Sequence, residues 1–332
     1  MQIYRQLADI PAQPTVATIG NFDGVHLGHQ GVIAEVLARA RALSARSLAI
    51  TFEPHPARVL RPDQPHPLIT PLTRKLELLA ATGIDATLVL PFTDQLRQMS
   101  ARAFATEVLV RAVGAIEVHE GENFRFGHRA EASVSGPTDS LESLGRELGF
   151  ATRVYSPRSV RGDVVSSSRI RALIAAGDVS HARALLGTPF AIDSLPASGR
   201  GFGTRYAVPT INLTPYAELL PANGVYITTL EIGEAPPKSG ASSEPAALPE
   251  TFQAVTNVGN RPTFGADSFA VESHLLNFHP IALTARTPIR LTFLLRLRAE
   301  QRFDNPALLL AQIKRDVAQA HRYFALRPQK QP

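Results

Sequence analysis

The sequence predicts an α/β protein in two parts, a doubly wound parallel sheet followed by a small antiparallel β-barrel that ends in a helix. Three observations carry this. Early in the chain, short continuous apolar runs (Thr15 to Ile19, Ser47 to Phe52, Ala86 to Leu90) alternate with helical patterns, as strands buried on both faces alternate with their crossover helices. From Phe190 the runs become alternating, short and broken by Gly and Pro, which is the texture of a small barrel. The tail from Asn305 to Phe324 carries Leu308, Leu309, Ile313 and Val317 at helical spacing. The predicted domains are residues 1–187 and 188–332.

The length of 332 residues suits about two domains. With no cysteine, disulfides, thiolate metal sites and cysteine nucleophiles are excluded together. No stretch of ~18 apolar residues occurs, and Asp9 with nearby prolines interrupts the start, so the expectation is a cytoplasmic protein without a membrane partner. The net charge of +5 and pI near 9.8 suit anionic small substrates as well as nucleic acid. The basic residues are spread along the chain, and no nucleic-acid partner is expected.

In the first part, Thr15 to Ile19 runs into a loop containing Gly20 and Gly24, and Val32, Ile33, Val36, Leu37 and Ala40 continue as a helix. A strand, glycine loop and helix in this order make a phosphate site: free amides at a helix start attract an anion, and glycines let it approach the backbone. His26 and His29, three residues apart, lie on one face once the helix has begun, where two imidazoles can donate to a phosphoryl oxygen. The loop matches neither Gly-x-x-x-x-Gly-Lys-Ser/Thr nor Gly-x-Gly-x-x-Gly, and a zinc-protease helix would read His-Glu-x-x-His.

After the next strand, Ser47 to Phe52, comes Glu53-Pro54-His55-Pro56, either a proline-stiffened turn or a wall of the ligand site. Leu72 to Ala81 is helical and Gly83 stops it. Ala86 to Leu90 is a strand, Ser100 caps a helix over Ala101 to Val113 that ends at Gly114, and Ala115 to His119 is a strand. That strand enters Gly121-Glu122-Asn123-Phe124-Arg125-Phe126-Gly127, whose two aromatics suit either local core or a ligand. A helix over Asp139 to Leu148 and a strand over Thr152 to Tyr155 follow. Ser166, Ser167 and Ser168 then cap a helix carrying Ile170, Leu173 and Ile174, to which Arg169 and Arg171 add cationic forks. This is a second phosphate-gripping helix start. Gly177, a helix over Val179 to Leu186 and Gly187-Thr188-Pro189-Phe190 close the part.

In the second part the predicted strands are Gly199 to Gly203, Val208 to Leu213, Gly224 to Leu230, Phe252 to Val258, Val271 to Phe278 and Ile289 to Leu297, with a Pro-, Ser-, Ala- and Gly-rich loop over Glu234 to Glu250.

The Gly20-Asn21-Phe22-Asp23-Gly24-Val25-His26-Leu27-Gly28-His29-Gln30 stretch resembles the nucleotide-binding motif of the nucleotidylyl transferase superfamily, in the form found in bacterial bifunctional riboflavin kinase/FAD synthetases. The Glu53-Pro54-His55-Pro56, Gly121-to-Gly127 and Ser166-to-Arg171 segments are similar to later motifs of the same family. In the second part Pro209-Thr210-Ile211-Asn212, Asn257-Val258-Gly259-Asn260-Arg261-Pro262-Thr263-Phe264 and Val271-Glu272-Ser273-His274 resemble its kinase motifs. The resemblance implies two ATP-dependent reactions, riboflavin to FMN and FMN to FAD. It implies catalytic roles for His26, His29 and Glu272, and ATP or phosphate contacts from Gly20, Asn21, Phe22, Asp23, Gly24, Gly28, Ser166, Ser167, Ser168, Arg169 and Arg171. It further implies flavin contacts from Asn123 and Arg125 and Mg²⁺ at Thr210 and Asn212, whose hard oxygen donors suit that ion.

Two departures bear on the kinase half. Tyr206-Ala207-Val208 stands where the family usually has Leu-Gly-Phe, and the first barrel strand, Ser194-Leu195-Pro196-Ala197-Ser198, contains a proline, which disfavours an interior strand. The alternative is therefore an FMN adenylyltransferase whose kinase-inactive barrel serves flavin binding or regulation. A split-barrel nucleic-acid binder would explain the pI but calls for basic stripes with exposed aromatics.

Overall fold

The computed structural model describes residues 1–122, 140–197, 210–233, 249–260, 269–281 and 283–327. Asn123, Arg125, the Gly199-to-Gly203 strand, Tyr206-Ala207-Val208 and the Arg261-to-Phe264 motif lie outside them. The chain falls into two compact units, Met1–Arg169 and Ile170–Pro332.

The first unit is built on strands β1 (Gln2–Tyr4), β2 (Thr15–Ile19), β3 (Arg46–Glu53), β4 (Ala86–Pro91), β5 (Ala115–Gly121) and β6 (Ala151–Tyr155). They form one parallel sheet in the order β1-β4-β3-β2-β5-β6. The helices are α1 (Leu27–Ala42), α2 (Pro56–Leu60), α3 (Leu72–Ala81), α4 (Asp94–Gln98), α5 (Ala101–Phe104), which runs on as a π-helical stretch over Ala105–Ala112, and α6 (Leu141–Leu148). All five residues of β2 are buried, as are Leu48, Ala49, Ile50 and Leu88. Side chains two apart share a face: Ala17, Ile19, Leu48, Ile50 and Phe52 pack with Phe104, Val108, Leu109, Leu141 and Leu144. On the opposite face Ala49 packs with Ile33, Leu79 and Ile84, and Val16 with Val36 and Ala40. Both faces are thus helix-covered, the doubly wound arrangement. The order reverses between β2 and β5, and the glycine loop leaves β2 at that switch point, where such sheets bind ligands.

One buried charge cluster sits in this sheet. The Glu117 carboxylate of β5, 2% exposed, accepts from Arg39 Nε and Nη2 at 2.9 and 2.7 Å, from Arg153 Nε at 2.6 Å and pairs with His119 Nε2 at 2.9 Å. The Arg39 hydrogen bond leads in holding Glu117 down to about 2, against its burial.

After the sheet come the short hairpin β7 (Ser159–Val160) and β8 (Asp163–Val164), helix α7 (Ser167–Ala175), whose first turn closes the first unit, and helix α8 (Val179–Leu186) in the second. Arg161 and Gly162, with φ of 54° and 84°, make the tight hairpin turn.

The barrel strands are β9 (Ala191–Ser194), β10 (Thr210–Asn212), β11 (Gly224–Ile232), β12 (Glu250–Asn260), β13 (Phe269–Leu275) and β14 (Ile289–Ala299). They are antiparallel in the order β10-β13-β12-β11-β14-β9. The first strand starts earlier than its sequence suggested, at Ala191, and its continuation crosses to the opposite edge. Pro196 bridges Leu213, flanked by Ala197 N donating to Asn212 O (2.8 Å) and Thr214 N donating to Leu195 O (2.9 Å). The proline therefore occupies a pair position that needs no amide hydrogen, and the two sheet edges join.

Helix α9 (Pro306–Leu326) is capped by Asn305 Oδ1, which accepts from Leu308 N at 2.9 Å. Ala320 and Phe324 pack on Val225, Ile227 and Val255 of the barrel. Leu308 and Leu309, expected on the apolar stripe, are exposed; the buried face begins at Asp316, which takes Arg298 on both carboxylate oxygens.

Candidate functional site

The loop after β2 is a strained turn. Phe22, Gly24 and Val25 have φ of 49°, 87° and 39°, and two of the three are not glycine, which costs roughly 1–3 kcal/mol each. Burial and hydrogen bonding hold it. Phe22 and Val25 belong to the core cluster with Ile33 and Leu79. The fully buried Asp23 accepts from Ile69 N (3.2 Å) and Thr70 N (2.9 Å), while Gly24 N donates to Thr70 Oγ1 (2.9 Å). Thr51 Oγ1 donates to Asn21 O at 3.2 Å. A Cβ at Gly20 would stand 3.1 Å from the Phe22 ring, and one at Gly28 would stand 3.2 Å from the His26 ring. A side chain at either position would need the neighbouring ring to give by a few tenths of an ångström.

His26 is the N-cap of α1, its Nδ1 accepting from His29 N at 3.3 Å. That bond leaves the ring proton on Nε2, so His26 presents a donor. The rings of His26 and His29 stack with centroids 3.6 Å apart, and the edge of Phe22 meets His29 at 5.1 Å. Burial pushes His26 down to about 4 and His29 well below the ordinary histidine range, so both rings are neutral near pH 7. His29 Nδ1 and Glu53 Oε2 are buried without a hydrogen-bond partner among the described residues.

The second helix start reaches the same loop. Ser167 Oγ donates to Asp23 O at 2.8 Å, and Ser166 Oγ caps the helix by accepting from Arg169 N at 3.2 Å. Arg169 is turned to Asp163 at 3.0 Å. Ser168 and Arg171 follow on α7, Arg171 half-buried. His55 caps α2, Nδ1 accepting from Ala57 N at 3.1 Å, and stacks on His66 with centroids 4.5 Å apart. Asp23, His55 and His66 bring one ligand-type atom each within 4.8 Å. With Nδ1 of His55 taken as an acceptor, its Nε2 carries the proton, which suits hydrogen bonding better than metal ligation.

Sequence reasoning passed over Lys75 in this neighbourhood. It is 1% exposed on α3, with Nζ 3.4 Å from Thr51 Oγ1, and its charge is felt by His29. The signal was present: a lysine set among Leu72, Leu76 and Leu79 on the helix's apolar stripe.

In the barrel, register assembles the candidate residues. Asn212 of β10 stands opposite Glu272 of β13, which stands opposite Asn257 of β12; Thr210 pairs with His274 on the same face. These five are partly exposed, while Ile211, Thr256 and Ser273 between them are buried. On that inner face Thr228, Thr256 and Ser273 join by hydroxyl contacts of 2.7 and 2.8 Å.

A turn of this kind at the switch point of a parallel sheet is how α/β enzymes hold nucleotide phosphates, and here it precedes a barrel with an oxygen-rich strand face. The FAD synthetase family model matches residues 9–169 and the riboflavin kinase family model residues 186–324. A bifunctional riboflavin kinase/FMN adenylyltransferase of Pseudomonas fluorescens is 32% identical over 323 residues, covering 96% of this chain and 97% of its own. The protein of the same description from Escherichia coli K12 is 32% identical over 324 residues, covering 96% of each. A crystal structure described as a macrolide-efflux protein from Streptococcus pneumoniae matches with a TM-score of 0.79 over 96% of this chain and 98% of that one; at 23% identity the likeness concerns the fold. The chain belongs to the bifunctional riboflavin kinase/FMN adenylyltransferase family and carries both its domains. Among the described residues no helix is long and apolar enough to cross a membrane.

Proposed function

We propose that this chain makes FMN from riboflavin in its barrel and FAD from FMN in its parallel-sheet domain, each at the expense of ATP, with residues 1–187 and 188–332 as the two domains. The domain reading is supported by the Ser167–Asp23 bond, which ties the start of α7 to the glycine loop, and by the family matches on either side of α8.

In the first domain an FMN phosphate oxygen attacks the α-phosphorus of ATP; the new P–O bond forms as the bond to the β-phosphate breaks, and pyrophosphate leaves. The nucleophile is already an anion, so the site positions and stabilises charge rather than removing a proton. Amides of the loop from Gly20 to Gly28 and the two helix starts cradle the phosphates, with Asn21 in the loop and Phe22 and Asp23 supporting it from within the core. His26 donates through Nε2 beside His29. Ser166, Ser167, Ser168, Arg169 and Arg171 form the second grip, and Asn123 and Arg125 contact the flavin nucleotide. The stacked pair of neutral imidazoles at the head of α1 is the observation that carries this reading.

In the barrel, Glu272 accepts the proton of the ribityl hydroxyl as that oxygen attacks the γ-phosphorus, and ADP leaves. Thr210 and Asn212, which lie on one face of β10, would hold magnesium, since hydroxyl and amide oxygens are hard donors that suit that ion. When bound, the ion neutralises phosphate charge. Purified chain incubated with riboflavin, ATP and Mg²⁺ should yield FMN and then FAD on separation of the flavins. FAD made from FMN with no FMN from riboflavin would select the reading with an inactive barrel.

A further inference from the structure

We propose that Lys75 is a further phosphate-directed residue of the adenylyl-transfer site, its ammonium waiting on Thr51 to donate to a non-bridging oxygen of the nucleotide held by the glycine loop. The inference rests on the adenylyl-transfer reading above.

An ammonium has three donors and is costly to bury unless they are filled. Lys75 is 1% exposed, and its ammonium has a single hydrogen bond among the described residues, the long 3.4 Å contact to Thr51 Oγ1, and no ion pair within bonding distance. The carboxylates of Asp23 and Glu53 act on its charge. Both Asp23 oxygens already accept loop amides from Ile69 and Thr70. One Glu53 oxygen is buried without a partner, and so is Nδ1 of His29. Lys75 is thus electrostatically coupled to two further underpaired polar groups, Glu53 and His29. The lysine is also wired to that loop, because Thr51 Oγ1 donates to Asn21 O. An arriving polyphosphate supplies the missing acceptors, and a flexible four-carbon stem lets Nζ leave Thr51 to meet it. Burial holds the Lys75 pKa below the usual lysine value, outweighing Asp23 and Glu53, which raise it.

The competing role is a plain counter-ion for Glu53. Lys75→Met should lower kcat for FAD formation by about 10²-fold, with riboflavin phosphorylation by the same molecules as the folding control. The double variant Lys75→Met/Glu53→Gln removes the stranded carboxylate as well; it should regain thermal stability yet remain about 10²-fold slow. Recovery of the double variant to near the native rate would overturn the proposal, leaving Lys75 a counter-ion. A crystal structure of the unaltered chain with FMN and α,β-methylene-ATP decides independently of whether the variants fold. Nζ within about 3 Å of a phosphate oxygen supports the proposal, and Nζ still on Thr51 overturns it. If the native chain converts no FMN to FAD, it is the adenylyl-transfer reading that fails.

Discussion

In the first unit most of the residues proposed to face phosphate are neighbours in the chain, Gly20 to His29, with a second helix start at Ser166 bonded to them through Ser167, whereas in the barrel Asn212, Glu272 and Asn257 come from three strands and meet only through register. The first arrangement depends on a strained turn held by buried contacts of Phe22, Val25 and Asp23. The second depends on sheet pairing, in which a slip of one residue would turn Glu272 inward and Ser273 outward. A local motif concentrates its chemistry where a short stretch can be recognised; a register-built site scatters it, and its parts gain meaning only once the strands are paired.

The sharpest break in that comparison is Glu272→Gln. It keeps size and hydrogen bonding but removes the basic oxygen, so riboflavin phosphorylation should fall roughly 10²- to 10⁴-fold while FAD formation from FMN is unchanged. Undiminished phosphorylation in a steady-state assay would mean that another group takes the proton.

The counterpart in the first unit is His26→Asn. Asparagine is as good an N-cap as nature offers, so α1 should keep its start, but the Nε2 donor is gone. FAD formation should drop about 10²-fold, with riboflavin phosphorylation intact. A comparable loss of both activities would show that the ring serves the fold.

Legibility in the sequence varied within each unit. The bounds of β2, α3 and α8 were readable because apolar period and caps agree there, as with Asp178 accepting from His181 N ahead of Val179. Strand β1 was missed because three residues at a sheet edge carry no period, and the β7–β8 hairpin because two-residue strands carry none either. The π-helical stretch over Ala105–Ala112 leaves the apolar count nearly unchanged, so nothing in the sequence announces it. Leu308 and Leu309 misled for the opposite reason: they fit the helical period but lie before the turn at which α9 reaches the barrel. Lys75 was legible as a charge on an apolar stripe, but only its burial with Leu76 and Leu79 gives that pattern weight.

A third test leaves both sites alone and weighs the sheet beneath the first. Glu117→Gln strands two half-exposed arginines, and thermal or denaturant unfolding should register a loss of roughly 1–3 kcal/mol near neutral pH. The sign with pH follows from the depressed carboxyl. Its contribution is fully present above the unfolded value of 4.5 and fades as pH falls toward about 2. The gap between native and Glu117→Gln should therefore narrow below pH 4.5; a gap that stays constant through that range would mean the cluster is held by packing alone.

The smallest effect is expected where the sequence looked most troublesome. Proline inside a barrel strand ordinarily removes a ladder hydrogen bond, yet Pro196 lies between Leu195 and Ala197, whose carbonyl and amide carry the bonds to Thr214 and Asn212. An alanine there would gain an amide with no ladder acceptor to reach and would lose the restriction that proline places on the unfolded chain. Pro196→Ala should accordingly destabilise by only about 0.4–1 kcal/mol and leave the Michaelis parameters of riboflavin phosphorylation unchanged. Since Asn212, one of the two residues bonded beside this bridge, stands opposite Glu272, a large fall in kcat would show that the proline's rigidity sets the register of β10 and with it the barrel site. A loss of stability well beyond the entropic range, with kcat intact, would instead mean that the ring itself packs in the seam that joins the sheet edges.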